Sequence, residues 1–145
     1  MRALLLAAAI ALSLSPSASA DDGTLVIVHP ENPASALSRD EVKSYLLQKA
    51  ANWPDGEPVR LLLPDHDSPV FQSVLRVLDM DQIQWDGYWE RQQAYGHFAP
   101  KTVSDELVIV RDVSKDLHAL GVIAASTLSG ALGGKVKVVF KLGAR

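Results

Sequence analysis

Residues 61 to 78 read LLLPDHDSPVFQSVLRVL: an unbroken apolar run, a short polar turn, then apolar residues on helical spacing. A chain with that order is committed to a β-strand feeding an α-helix, because no single repeat period fits both halves. The helix start is well specified. Ser68 suits the N-cap, Pro69 the first helical position, and Val70, Phe71, Val74, Leu75 and Leu78 share one face. Backbone N–H groups at such a start are expected to point outward, the arrangement by which α/β proteins bind anions. The turn nevertheless carries Asp65 and Asp67, two like charges where an anion would sit.

The amino-terminal end is a separate matter. Arg2, the apolar stretch ALLLAAAIALSL and the small residues Ala18 to Ala20 form the pattern of a secretory signal peptide, with cleavage expected after Ala20. Residues 21–145 are then expected to form one α/β domain. The chain has no cysteine, so an exported domain must be held by packing without disulfides. Its formal net charge is −3, one unit more negative without Arg2, which argues against nucleic-acid binding. No second apolar span follows, so no membrane insertion is expected after cleavage.

The rest of the chain supplies the partners of that strand and helix. TLVIVHP, residues 24 to 30, is a β-branched run of the kind found in strands covered on both faces, as in parallel sheets. Ser38 and Glu41 have the spacing of a capping box and open a short helix, which NWPDGEPV breaks before VRLLLP. A further helix is expected from a cap at Asp81 to about Gly96, with Trp85 and Trp89 on one side. Thr102 and Asp105 have helix-start spacing while LVIV has strand propensity, and helix is favoured there. GVIAAS is a short buried strand, and KVKVVFK alternates as an edge strand does. This order gives a mixed, mostly parallel sheet of about four strands flanked by about four helices. The loops after Val28, Leu63 and Ala124 are expected to converge beyond the carboxyl ends of the strands.

Several of these stretches resemble the phosphate-binding proteins of ABC transporters, members of the type II periplasmic binding proteins. Ser38 to Val42 followed by Asn52-Trp53 is similar to their helix and NW turn, and Leu120-Gly121-Val122 stands in the place of their Ile-Gly-Tyr strand. Asp67 to Pro69 and Tyr88 to Arg91 resemble the DSP helix start and the YW-x-R helix of short exported members. The resemblance implies a single lobe of that fold, a periplasmic location, a small phosphate-like anion as ligand, and an ABC permease or other envelope protein as partner. It points to Ser35, His66, Asp67, Ser68 and Arg91 as ligand-binding candidates. Laid on the family's phosphate loop, R-x-x-G-S-G-T, only the serine survives, as Ser68. Pro64 replaces the arginine, Asp67 and Pro69 the glycines, and Val70 the threonine. Weak or absent phosphate affinity follows, because a helix dipole alone is worth only about 0.3–1 kcal/mol at an exposed site.

Other chemistries have less behind them. Asp65, His66 and Ser68 lie close in sequence, but triads are made by geometry, and there is no G-x-S-x-G elbow, so no catalysis is expected. His29, His66, His97 and His118 match no zinc spacing, so neither metal nor cofactor is expected. Trp85, Tyr88 and Trp89 are expected in the core. The leading expectation is a solute-binding-like domain with a binding, accessory or sensing role. The alternative is an interaction module that has lost its ligand.

Overall fold

The computed structural model describes residues 23–128 and 130–142, and the expected signal peptide lies outside them. Five strands form one mixed sheet: β1 (Thr24–Val28), β2 (Arg60–Pro64), β3 (Lys101–Val103), β4 (Ala119–Ala124) and β5 (Lys137–Leu142). Four helices, α1 (Arg39–Leu46), α2 (Pro69–Leu78), α3 (Gln82–Gln93) and α4 (Glu106–Lys115), complete an α/β sandwich. The strand order is β3-β2-β4-β1-β5.

The sheet is parallel where β2 meets β3 and β4, and antiparallel where β1 meets β4 and β5. Parallel pairing is thus less dominant than the apolar run TLVIV suggested. All five β1 residues are buried, and burial on two faces produces such a run whatever the direction of the neighbours. Direction is set by the connections. The fifth strand, β3, is only three residues long, too short to show a period.

Alternation of side chains divides the core in two. Val26, Val28, Leu61, Leu63, Leu120 and Val122 face α1, α2 and α3, whereas Leu25, Ile27, Leu62, Ala119 and Ile123 face α4. Trp85 and Phe71 are among the largest fully buried side chains, their rings meeting edge to face at 5.2 Å. Each fully buried large apolar chain contributes roughly 1.5–3 kcal/mol relative to exposure. On the other face Gly121 permits α4 to lie close against β4. A Cβ there would stand 2.6 Å from Ile109 Cγ2 and 3.0 Å from Val113 Cγ2.

The helix caps follow the sequence closely. Ser38 and Glu41 exchange both bonds of a capping box, and Asp81 and Gln84 form a second. Asp105 caps α4, so LVIV is helical; its Ile109 and Val110, with Val113 one turn further on, are buried against the sheet, and tertiary packing overrides strand propensity. Thr102 belongs to β3 instead. β5 lies at the sheet edge, and part of that edge is covered, since the Leu37 N–H donates to the Val139 carbonyl at 2.8 Å.

Candidate functional site

Because β2, β3 and β4 are parallel, their carboxyl ends share one end of the sheet. β1 runs the other way and begins there, with Thr24 opposite Ala124. The loop after Val28 therefore leaves from the opposite end and does not join the loops after Leu63 and Ala124. Ser35 goes with it. It is exposed in a loop anchored by Asn32, whose Nδ2 donates to the Leu117 carbonyl just before β4.

At the carboxyl end, the start of α2 is internally satisfied. Ser68 Oγ accepts from the Val70 N–H at 3.0 Å, and the Ser68 carbonyl accepts from Phe71 at 3.0 Å and Gln72 at 3.3 Å. Pro69 has no N–H, and the Ser68 N–H donates to Asp65 O at 2.9 Å. The expected outward N–H groups are all engaged. Ser68 is a helix cap, Asp67 is exposed, and His66 turns toward α3, its ring 4.5 Å from that of Phe71.

Arg91 lies farther along, exposed on α3 beside Tyr88. The Tyr88 hydroxyl donates to Leu47 O at 2.7 Å; burial raises its pKa, and the Arg91 charge acts in the opposite direction. Trp85 and Trp89 are core residues, 1% and 3% exposed. Among the described residues, no hydrogen bond or ion pair joins any two of Ser35, His66, Asp67, Ser68 and Arg91. The structure keeps Ser68 and Asp67 at the carboxyl end, sends Ser35 to the other, and sets His66 and Arg91 on the α3 side. His66 lines a separate open groove of about 600 Å³ with Trp85, Asp86, Trp89, Glu90 and Gln93.

A different set of residues builds a cleft at the carboxyl end. It has a volume of about 440 Å³ and is lined by Gly23, Thr24, Pro69, Val70, Gln72, Ser73, Arg76, Glu106 and Ala124. Ser73 is 4% exposed, and its hydroxyl accepts from Arg76 Nη2 at 2.9 Å. Glu106, the first residue of α4, turns its carboxylate toward the end of β4. Its Oε1 accepts from the Ala124 N–H at 2.7 Å and the Thr127 hydroxyl at 2.8 Å. Among the described residues, Arg76 and Glu106 make no ion pair with each other or with any other group. Sequence reasoning missed both. The available signal was Arg76 standing one helical turn after Ser73, on the helix that Ser68 opens.

The described residues hold no group of three His, Cys, Asp or Glu side chains placed to bind a metal, and no helix long and apolar enough to cross a membrane.

Known proteins match this chain in structure rather than in sequence. No family model matches, and no curated protein does. A protein provisionally assigned as a phosphate ABC transporter substrate-binding protein, from Clostridium perfringens and with phosphate bound, superposes with a TM-score of 0.64 at 17% identity. That alignment covers 81% of this chain and 44% of the other. An ABC-type phosphate transport receptor from Vibrio cholerae gives a TM-score of 0.61 at 12% identity, over 88% of this chain and 52% of the other. PstS from Borrelia burgdorferi gives 0.62 at 13% identity, over 81% and 46%. The chain therefore has the fold of these phosphate-binding proteins and spans about half their length.

Proposed function

We propose that this protein is an exported solute-binding-like lobe, residues 21–145 after cleavage at Ala20, with a binding, accessory or sensing role linked to ABC transport of phosphate or another small anion. The observation that carries this reading is a cleft at the carboxyl ends of β2 and β4, in a fold shared with phosphate-binding proteins. On its own the lobe binds phosphate weakly or not at all. Every donor at the start of α2 is spent on the chain itself, Asp65 and Asp67 flank it, and the Glu106 carboxylate occupies the donors at the end of β4. An exposed anion held by one face also stays in water, where screening weakens each contact. Ser68 and Asp67 border this end, whereas Ser35, His66 and Arg91 would meet a ligand only through a second surface. The protein has no catalytic role, its periplasmic partner being a permease or another envelope protein.

Titration calorimetry with inorganic phosphate tests the reading: no saturable heat is expected below the millimolar range, and sub-micromolar affinity would sink it. Sequencing the amino terminus of the exported protein should give Asp21 first.

The second reading, an interaction module without a ligand, is favoured by Ile83, Tyr95 and Phe98, which are 81%, 76% and 63% exposed. Isolated exposed apolar residues are common, so it stays second. Loss of a crosslink to an envelope protein on Ile83→Ser or Phe98→Ser, with the cleft intact, would promote it.

A further inference from the structure

The cleft described above has two charged residues among those that line it, Arg76 from α2 and Glu106 from α4, one of each sign. Opposite charges facing a common space usually neutralise each other when they can reach. These two lie beyond ion-pair distance, and each is held by neutral groups instead. Arg76 is steadied by the buried Ser73 hydroxyl. Glu106 is steadied through Oε1 alone, by Ala124 and Thr127, so Oε2 has no hydrogen-bond partner among the described residues. A carboxylate offers about four acceptor positions, so much of its capacity is unused. The guanidinium likewise keeps donors beyond the one given to Ser73, in a planar fork that suits a carboxylate.

Such a cleft discriminates by charge pattern. A multiply charged oxyanion gains from Arg76 but is repelled by Glu106, and its other donors at α2 and β4 are already taken. A simple cation meets the reverse. A molecule carrying a carboxylate at one end and an ammonium at the other satisfies both residues, and the volume of about 440 Å³ holds one of amino-acid size. The geometry points to a small zwitterion, an amino acid or a close relative, as the solute class of this cleft, with Arg76 holding its carboxylate and Glu106 its ammonium. This assignment rests on the solute-binding reading of the cleft and puts a zwitterion in the place of a simple anion as its solute.

The test follows chemical shifts of the Ser73 and Ala124 amides, with affinities by calorimetry, on the purified protein at neutral pH. The probes are glycine, alanine and a larger amino acid, with acetate, methylammonium and inorganic phosphate as single-charge-type controls. Amino acids should shift both amides and bind at least about tenfold tighter than acetate or methylammonium. Glu106→Gln keeps an acceptor for Ala124 and Thr127, so it should fold as before and bind amino acids no better than acetate. Arg76→Gln should reduce amino acids to the level of methylammonium. If acetate or phosphate shifts these amides as strongly as any amino acid, the zwitterion assignment is overturned and the solute-binding reading stands. If no probe shifts them, both are overturned.

Discussion

The two ends of the sheet use their polar groups in opposite ways. At the amino ends of β2 and β4, Arg60 Nε bonds Asp116 Oδ2 at 2.6 Å, His118 Nε2 lies 3.6 Å from Asp55, and Trp53 Nε1 donates to the His118 carbonyl at 2.9 Å. Asn32 and Asp116 tie the adjoining loops into the same network. Arg60 and Asp116 there form a direct ion pair. At the carboxyl ends Arg76 and Glu106 face one cleft with neutral partners only. Charges that are mutually paired hold a fold together, and charges kept apart on a shared cleft are available to a third body. On the proposed solute-binding reading, the difference makes one end structural and leaves the other to a ligand.

Substitutions at the two ends should separate these roles. The largest effect is expected at Trp53, 2% exposed and packed on Tyr45 at 5.0 Å. Trp53→Ala should cost about 3–5 kcal/mol in chemical denaturation. A loss under 1 kcal/mol would mean that the amino end does not anchor the fold. Next comes Glu106→Ala, which leaves the Ala124 N–H and Thr127 without their acceptor, a cost of about 1–3 kcal/mol. Glu106→Gln should recover most of it, since the acceptor returns without the charge. Equal losses in the two variants would show that the charge, not the hydrogen bonds, stabilises this corner.

What the sequence revealed and what it hid follow the same division between local and distant causes. Ser38, Ser68 and Asp81 were legible as caps because a cap is decided by residues within one turn. The burial of TLVIV was legible for a similar reason, since composition alone records it. The direction of β1 was not, because it depends on pairing with β4, far along the chain, and that direction moved Ser35 away from the cleft. That Arg76 and Glu106 line one cleft was hidden too. It depends on Gly121 letting α4 settle on the sheet, and no spacing between the two residues records that approach. Ser68 was placed correctly, yet its surroundings were misjudged: the same capping that identified it consumed the donors it seemed to promise.

Ser68 therefore offers a smaller and sharper test. Ser68→Ala removes the acceptor for Val70 and should cost about 1 kcal/mol, within the 0.5–2 typical of such caps. It frees a donor, but phosphate affinity should not rise, because Asp65 and Asp67 remain. A phosphate-dependent gain in melting temperature in this variant would show that capping alone had closed the site.

A smaller effect still belongs to pH at the structural end. Burial pushes the Asp116 carboxyl upward, but the His118 N–H, the Arg60 hydrogen bond and the charges of Arg60 and His118 outweigh it, leaving the pKa below its usual 3.8. A depressed carboxylate stabilises the fold fully above its unfolded pKa, and that contribution disappears as pH falls through the folded value. Denaturation midpoints followed from neutral to strongly acidic pH should show this loss in the parent and lack that portion of it in Asp116→Asn. Matching acid profiles would mean that other carboxylates dominate.

Arg76→Gln should have the least effect on stability of all, within about 0.5 kcal/mol, because Arg76 is exposed and makes no ion pair among the described residues. Its bond to Ser73 joins neighbouring turns of a single helix, so the fold does not depend on it. Trp53 at the amino end should destabilise the fold strongly when removed, whereas Arg76 should alter only what the cleft accepts. If Arg76→Gln instead destabilised as much as Glu106→Ala in urea titration, Arg76 would be part of the scaffold. The unpaired charges of the carboxyl end would then be structural, and the two ends of the sheet would differ in geometry without differing in role.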